Sequence, residues 1–210
     1  MMNVLTQIQL TEEQKALLEG GEIVRFEASW DEFTDFLETT DYRIEYCNGE
    51  IIVMGLAKAL HEWLVIRIAN ILSNFYEGKD YFVFGSNLGI HPSPKGKYHD
   101  ADVTVVKGNI DFWGNSKAII TNPYIIVEVL SESTQQYDLN EKMESYSEIE
   151  SIQQMIFIGG EPQKVITYTR TEEVNSWLRT SYTKPDDTLV LDNFTVKLSA
   201  IFANMPSIPK

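Results

Sequence analysis

Two acids stand where a strand should be apolar. Asp102 opens the run Asp-Val-Thr-Val-Val, and Glu128 interrupts Ile125-Ile-Val-Glu-Val-Leu. A carboxylate in a strand buried on both faces costs desolvation energy unless something cationic neutralises it. For one such acid alone, a salt bridge at a sheet edge is an adequate account; two of them strengthen a functional one. Glu50 begins the second strand of a hairpin and Lys142 lies on the helix after the Glu128 strand, so three carboxylates and one ammonium can converge. Hard oxygen ligands of this type suit Mg²⁺ or Mn²⁺, whose remaining positions go to water and substrate phosphate.

The pattern also predicts the elements that must position these residues. Thr11-Glu-Glu-Gln and Ser29-Trp-Asp-Glu are capping boxes, and each predicts a short helix. Tyr42 to Cys47 and Glu50 to Met54 flank Asn48-Gly49, a two-residue turn suited to a tight hairpin. From Lys58 to Tyr76, Leu60, Leu64, Ile68, Ile71, Leu72 and Phe75 recur at helical spacing, and Gly78 ends the helix. Strands are predicted over 81–90, 101–106 and 124–130, with loops rich in turn residues at 91–97 and 108–122. A helix capped by Ser133 and Thr134 carries Asp138, Lys142 and Tyr146 on one face. A strand at 154–158, meandering strands at 164–169, 176–182 and 188–191, and a helical turn at 198–202 complete the chain. The result is an α/β (α+β) fold with a mixed sheet, whose core order is helix-strand-strand-strand-helix-strand between an N-terminal hairpin and a C-terminal β meander. One domain spans 1–210, with 1–40 as an N-terminal helical extension.

Composition removes several classes of function. With 43% hydrophobic and 23% charged residues in 210, the chain reads as globular rather than disordered or fibrous. No apolar stretch reaches membrane-spanning length and the N-terminus lacks a secretion signal, so no membrane partner and a cytoplasmic location are expected. A single cysteine, Cys47, and three histidines leave too few ligands for a Cys/His zinc site. The net charge of −14 argues against a broad basic surface. It is unevenly spread: residues 1–57 hold 3 basic and 12 acidic side chains, 58–125 hold 7 and 6, and 126–210 hold 7 and 13.

The residues from Asp41 to Phe202 resemble the restriction-endonuclease-like PD-(D/E)XK nucleases and, within them, the Uma-two family of endonucleases. The resemblance rests on Tyr46-Cys-Asn-Gly-Glu-Ile-Ile-Val-Met, His61 at the start of the long helix, Asp102-Val-Thr-Val-Val, and Val127-Glu-Val-Leu-Ser-Glu-Ser-Thr followed by Asp138 and Lys142. It implies a restriction-endonuclease-like domain over 41–203 and metal-dependent hydrolysis of DNA phosphodiesters. It further implies Asp102, Glu128 and Glu50 as metal ligands, Lys142 as the catalytic lysine, His61 at the site, and a homodimer. Two positions depart from the broader pattern. Ala101 stands where proline usually precedes the first acid, and Leu130 where the Glu-x-Lys lysine would be. The resemblance implies that Lys142, from the following helix, takes that lysine's place. The alternative is a non-catalytic module of the same fold, working through protein contacts.

Weaker candidates surround these. Asp138 either pairs with Lys142 along the helix or orients it in the site. His99 and Asp100 read as a solvated loop pair, Lys95-Gly-Lys97 as a solvated loop, and Tyr146 as packing. Ser131 and Ser133 lack a Gly-x-Ser-x-Gly context and read as a strand end and a helix cap. No Walker or Rossmann glycine spacing is present.

Overall fold

In the computed structural model, which describes residues 8–91 and 96–207, both capping boxes form. Thr11 and Ser29 accept from the N–H groups of Gln14 and Glu32, whose side chains accept from the Thr11 and Ser29 N–H groups in return. They start α1 (Glu12–Glu19) and α2 (Trp30–Thr39), and between them lies β1 (Val24–Glu27), a strand that the sequence pattern does not predict. β2 (Ile44–Cys47) and β3 (Glu50–Val53) form the expected hairpin. Its turn residues Asn48 and Gly49 both have positive φ, 52° and 86°, as a right-twisted two-residue turn requires. The long helix is α3 (Ala59–Tyr76), and it buries Leu64, Val65, Ile68, Leu72 and Tyr76.

The strand expected over 81–90 is two. β4 (Tyr81–Phe84) and β5 (Gly89–Ile90) belong to different sheets, because the turn residues Gly85, Ser86 and Asn87 redirect the chain between them. β6 (Lys97–Asp100), β7 (Val103–Lys107), β8 (Ile119–Ile120) and β9 (Ile125–Leu130) follow. The predicted helix after β9 is a continuous helical run: α4 (Gln135–Tyr137), a π-helical turn over Asp138–Lys142, and α5 (Met143–Ser147). β10 (Gln154–Gly159), β11 (Lys164–Arg170), β12 (Trp177–Tyr182), β13 (Thr188–Leu191), β14 (Phe194–Lys197) and α6 (Leu198–Ile201) complete the fold.

The strands make two six-stranded sheets, in the orders β1-β3-β2-β6-β5-β8 and β12-β11-β10-β9-β7-β4. The second is mixed: β9 and β10 are parallel, and the helical run 135–147 forms their crossover, while the other neighbours are antiparallel. α3, β4, β7, β9, the crossover helix and β10 give the expected core order, with β5, β6 and β8 inserted into it. The C-terminal meander ends at β12. β13 instead pairs with β14 in a separate hairpin whose Leu189 and Leu191 close the core beneath α3.

One feature of this topology positions everything below. The chain leaves the first sheet at Asp100, passes the buried Ala101 and enters the second sheet at Val103. Asp100 and Asp102 therefore lie at the seam between the sheets.

Candidate active site

Each sheet contributes acids to that seam. β2 supplies Glu45 from the first sheet and β9 supplies Glu128 from the second, while the crossover segment contributes Asp102 and the π-helical turn Asp138 and Lys142. All five side chains are buried. Lys142 Nζ lies 3.0 Å from Glu45 Oε1, 3.0 Å from Glu128 Oε1 and 3.7 Å from Asp138 Oδ1, and donates to the Asp100 carbonyl at 3.3 Å. Of these contacts, the one to the Asp100 carbonyl is a hydrogen bond, and Glu45 and Glu128 are ion-pair partners. Tyr146 donates to Glu128 Oε1 at 2.7 Å, and Thr134 donates to Asp138 Oδ2 at 2.7 Å.

Asp102 is held separately. Its Oδ2 accepts from the Val129 N–H at 2.8 Å and from His61 Nε2 at 3.1 Å, so the first turn of α3 reaches the site through His61. Arg43, just before β2, spans the acids, donating to the Asp100 carbonyl at 2.6 Å and lying 3.9 Å from Asp102 Oδ1. Asp102, Glu128, Asp138, Lys142, Arg43 and His61 line one cavity of about 50 Å³, room for a few waters. It adjoins a larger groove of about 460 Å³ between α3 and the β9 and β10 ends, with Lys58, His61, Val129 and Ser131 common to both.

The charges here do not balance. Five buried carboxyls, those of Glu45, Asp100, Asp102, Glu128 and Asp138, face two permanent cations, Arg43 and Lys142. The excess is met by protons. Burial, reinforced by the neighbouring acids, raises Glu128 well above the usual carboxylate range and pushes Asp100 and Asp138 up to about 6. Burial also opposes ionisation of Glu45 and Asp102. There favourable partners prevail: Lys142, a hydrogen bond from His99 and Arg43 hold Glu45 low, and His61, Arg43 and Lys142 hold Asp102 low. Burial lowers the Lys142 affinity for its proton, but Glu128, Glu45 and Asp138 more than offset it, so Lys142 is a firm ammonium. His61 is raised, its burial outweighed by Asp102 and Glu62, whereas burial holds His99 neutral.

Four of the five sequence-predicted site residues meet in this cavity: Asp102, Glu128, Lys142 and His61. Glu50 is not brought there. It pairs with Arg25 at 2.9 Å, and Arg25 also binds Glu141, because Glu50 sits at the turn end of the hairpin. Among the described residues, no three Asp, Glu, His or Cys side chains sit at metal-binding spacing. A cation here would have two carboxylates, Asp102 and Glu128, completed by water. The donors fit such an ion: the oxygens are hard, the local charge is in excess, and Glu128 Oε2 has no hydrogen-bond partner among the described residues.

Several side chains assigned elsewhere from sequence belong to this network. His99 and Asp100, expected in a solvated loop, are buried in β6, since the unpredicted pairing of β6 with β2 draws them inside. Tyr146, expected to pack, also bonds Glu128. Glu45 and Arg43 are absent from the sequence-derived site. The signal of Glu45 was the same as that of Glu128, an acid within a strand, but the alternating hairpin pattern makes such an acid look solvent-facing, and Arg43, just before the strand, gave no such signal. Lys97 pairs with Glu148, and Lys95 lies outside the described residues. The expected caps do not form: Thr134 makes no side-chain cap and Ser133 donates to the Gly21 carbonyl, while Ser131, read as a strand end, accepts from the Thr134 N–H.

No helix among the described residues is long and apolar enough to cross a membrane. A family model, Uma2, described as "Putative restriction endonuclease", matches residues 30–203. Two proteins of Synechocystis sp. are similar in sequence: uncharacterized protein sll1609, 29% identical over 143 residues (68% of this chain, 80% of that one), and uncharacterized protein slr1290, 27% identical over 156 residues (74% and 80%). A crystal structure from Anabaena variabilis, described as a "putative nuclease belonging to DUF820", superposes with a TM-score of 0.67 at 17% identity, covering 83% of this chain and 97% of that one. The two chains share this fold.

Proposed function

Because the chain belongs to the Uma2 restriction-endonuclease family, we propose that it is a divalent-metal-dependent endonuclease that hydrolyses DNA phosphodiester bonds, with Asp102 and Glu128 as the ligands of Mg²⁺ or Mn²⁺. The observation that carries this reading is the convergence of Asp102, Glu128 and Lys142 on one small cavity where buried carboxyls outnumber the cations. When bound, the ion polarises the phosphoryl oxygen and lowers the pKa of a coordinated water.

The chain's own residues supply the rest. Lys142, locked in the protonated state, cannot take a proton from water, so its role is to stabilise the negative charge that develops on the phosphorane oxygens. Lys142 is ion-paired with Glu128 here, and would be available to a substrate phosphate if Glu128 served as a ligand of the ion. His61 keeps Asp102 ionised and oriented from one side, and the Val129 N–H does so from the other. The adjoining groove, with Lys58 and Lys164 on its walls, offers the nucleic-acid strand a path past the cavity. A second reading, a non-catalytic module of the same fold, draws on the pairing of Lys142 with the protein's own carboxylates.

Calorimetric titration of Mn²⁺ and Mg²⁺ into wild type and Glu128→Gln, with plasmid nicking on the same samples, separates the two. The nuclease reading expects wild type to bind and nick, and the folded variant to lose at least ~10²-fold in nicking. Folded wild type that neither binds nor nicks leaves the interaction module.

A further inference from the structure

Glu45 is the most buried carboxylate of the cluster, yet it lines neither the cavity nor the groove. Both of its oxygens are turned to protein. Oε1 faces Lys142 Nζ at 3.0 Å and the Asp100 N–H at 3.4 Å, and Oε2 accepts from Tyr137 at 2.8 Å and His99 Nδ1 at 3.1 Å. Nothing is left with which to hold an ion or touch a substrate. We propose that Glu45 is the positioning residue of this site: it anchors the Lys142 ammonium at the cavity wall when Glu128 turns away to bind the ion. The proposal rests on the nuclease reading above.

Among the described residues, the geometry leaves Glu45 as the only close anionic anchor in that state. Lys142 has two carboxylates within 3.0 Å, Glu45 and Glu128, and the second is the proposed metal ligand. Asp138, at 3.7 Å, lies beyond hydrogen-bonding range. An ammonium released by Glu128 into a buried pocket would have to find another anion or withdraw, and Glu45 removes that choice. Glu45 is itself immobilised. β2 is paired on both sides, by β3 and by β6, and the Tyr137 hydroxyl reaches it from the residue just before the π-helical turn that carries Lys142. Hairpin and crossover helix are thus joined through one carboxylate.

The test uses Glu45→Gln, which keeps the shape and removes the charge, with Tyr137→Phe as a milder variant that loosens Glu45. If Glu45 positions Lys142, kcat for plasmid nicking falls at least ~30-fold in Glu45→Gln and about three- to tenfold in Tyr137→Phe. KM and the calorimetric Mn²⁺ affinity should stay within about threefold of wild type. A merely structural role would not separate kcat from KM in this way. A double-mutant cycle of Glu45→Gln with Lys142→Met in urea unfolding reads the same contact without any activity. The unfolding constants should be non-multiplicative by at least about tenfold. Should Glu45→Gln fail to fold, Tyr137→Phe and its own cycle with Lys142→Met decide the matter.

Three results would overturn the proposal: a multiplicative cycle, an unchanged kcat in folded variants, or Mn²⁺ affinity lost together with kcat, which would make Glu45 a ligand. Wild type that shows the coupling but neither binds Mn²⁺ nor nicks would instead refute the nuclease reading and leave the anchor standing.

Discussion

Along β9 every residue is buried, but the two faces of the strand have different company. Ile125, Val127 and Val129 point into the apolar layer under α3, among Leu64, Ile68, Leu72 and Ile156. Glu128, one residue out of step, points the other way, to Lys142 and Tyr146. Burial is equal on the two faces; what it does to the free energy is not. Each fully buried aliphatic side chain on the α3 face stabilises the fold by about 1.5–3 kcal/mol. On the seam face, burial strips water from carboxyls that outnumber their cations, and Glu128, Asp100 and Asp138 hold their protons more tightly as a result. An ordinary core would replace such a cluster with apolar residues at little or no cost. Its presence here is explained by chemistry rather than by folding, and the contrast between the faces can be tested by disturbing one at a time.

The largest effect on stability belongs to the α3 face. Leu72→Ala should cost about 2–5 kcal/mol in urea unfolding, as expected for a fully buried leucine whose neighbours relax only in part. Below its unfolding midpoint, its Mn²⁺ affinity should match that of wild type. Glu128→Gln should do the reverse, leaving stability within about 1 kcal/mol while removing activity. If Leu72→Ala abolished metal binding, or if Glu128→Gln unfolded the chain, the two faces would not be separable.

pH gives a smaller effect of opposite sign from what neutralising acids usually does. Asp100 and Asp138 titrate at about 6 in the folded state, above their unfolded values, because of burial first and neighbouring acids second. The folded chain therefore binds protons more tightly than the unfolded one between about pH 4 and 6. Stability is fully present below about pH 4 and is lost as pH rises through 6. Each rise of about two pH units corresponds to roughly 3 kcal/mol. Glu45 and Asp102, held low, act oppositely but only below about pH 4, as their ion pairs are protonated. Thermal unfolding between pH 4.5 and 7.5 should show the midpoint falling with pH. Asp138→Asn should flatten that slope, and Leu72→Ala should displace the curve without flattening it. A slope unchanged in Asp138→Asn would assign the pH dependence to the other raised carboxyls of the seam, Glu128 and Asp100.

Much of this fold could be read from the sequence, because caps, hairpin turn and helical spacing are local signals. Thr11, Ser29, Asn48-Gly49 and the α3 stripe all act within a few residues of themselves. The seam depends instead on pairing between distant segments. β1 and β6 are short strands of ordinary composition, so the docking of β6 on β2, which buries His99 and Asp100, leaves no local trace. Asp102 and Glu128 are visible because acids in continuous β-branched runs are anomalous, and Lys142 through its place on the following helix and the resemblance. Glu45 is not, since the hairpin reads as a half-exposed ribbon.

The smallest prediction turns on that hairpin. Glu45 and Glu50 lie on the same face of it, since the Glu45–Ile52 and Cys47–Glu50 pairs are successive rungs on one side. Two residues along a strand is about 7 Å, and that spacing separates their environments. Glu45 meets Lys142 in the interior. Glu50, at the turn, is 35% exposed and shares Arg25 with Glu141. A half-exposed pair of this kind is worth about 0.2–1 kcal/mol. Glu50→Gln should therefore change unfolding stability by less than about 1 kcal/mol, and Mn²⁺ affinity and nicking by less than about threefold. A tenfold or greater loss of Mn²⁺ affinity in folded Glu50→Gln would mean that the hairpin end swings inward when an ion binds, releasing Glu50 from Arg25 to act as the third ligand that the resemblance implies.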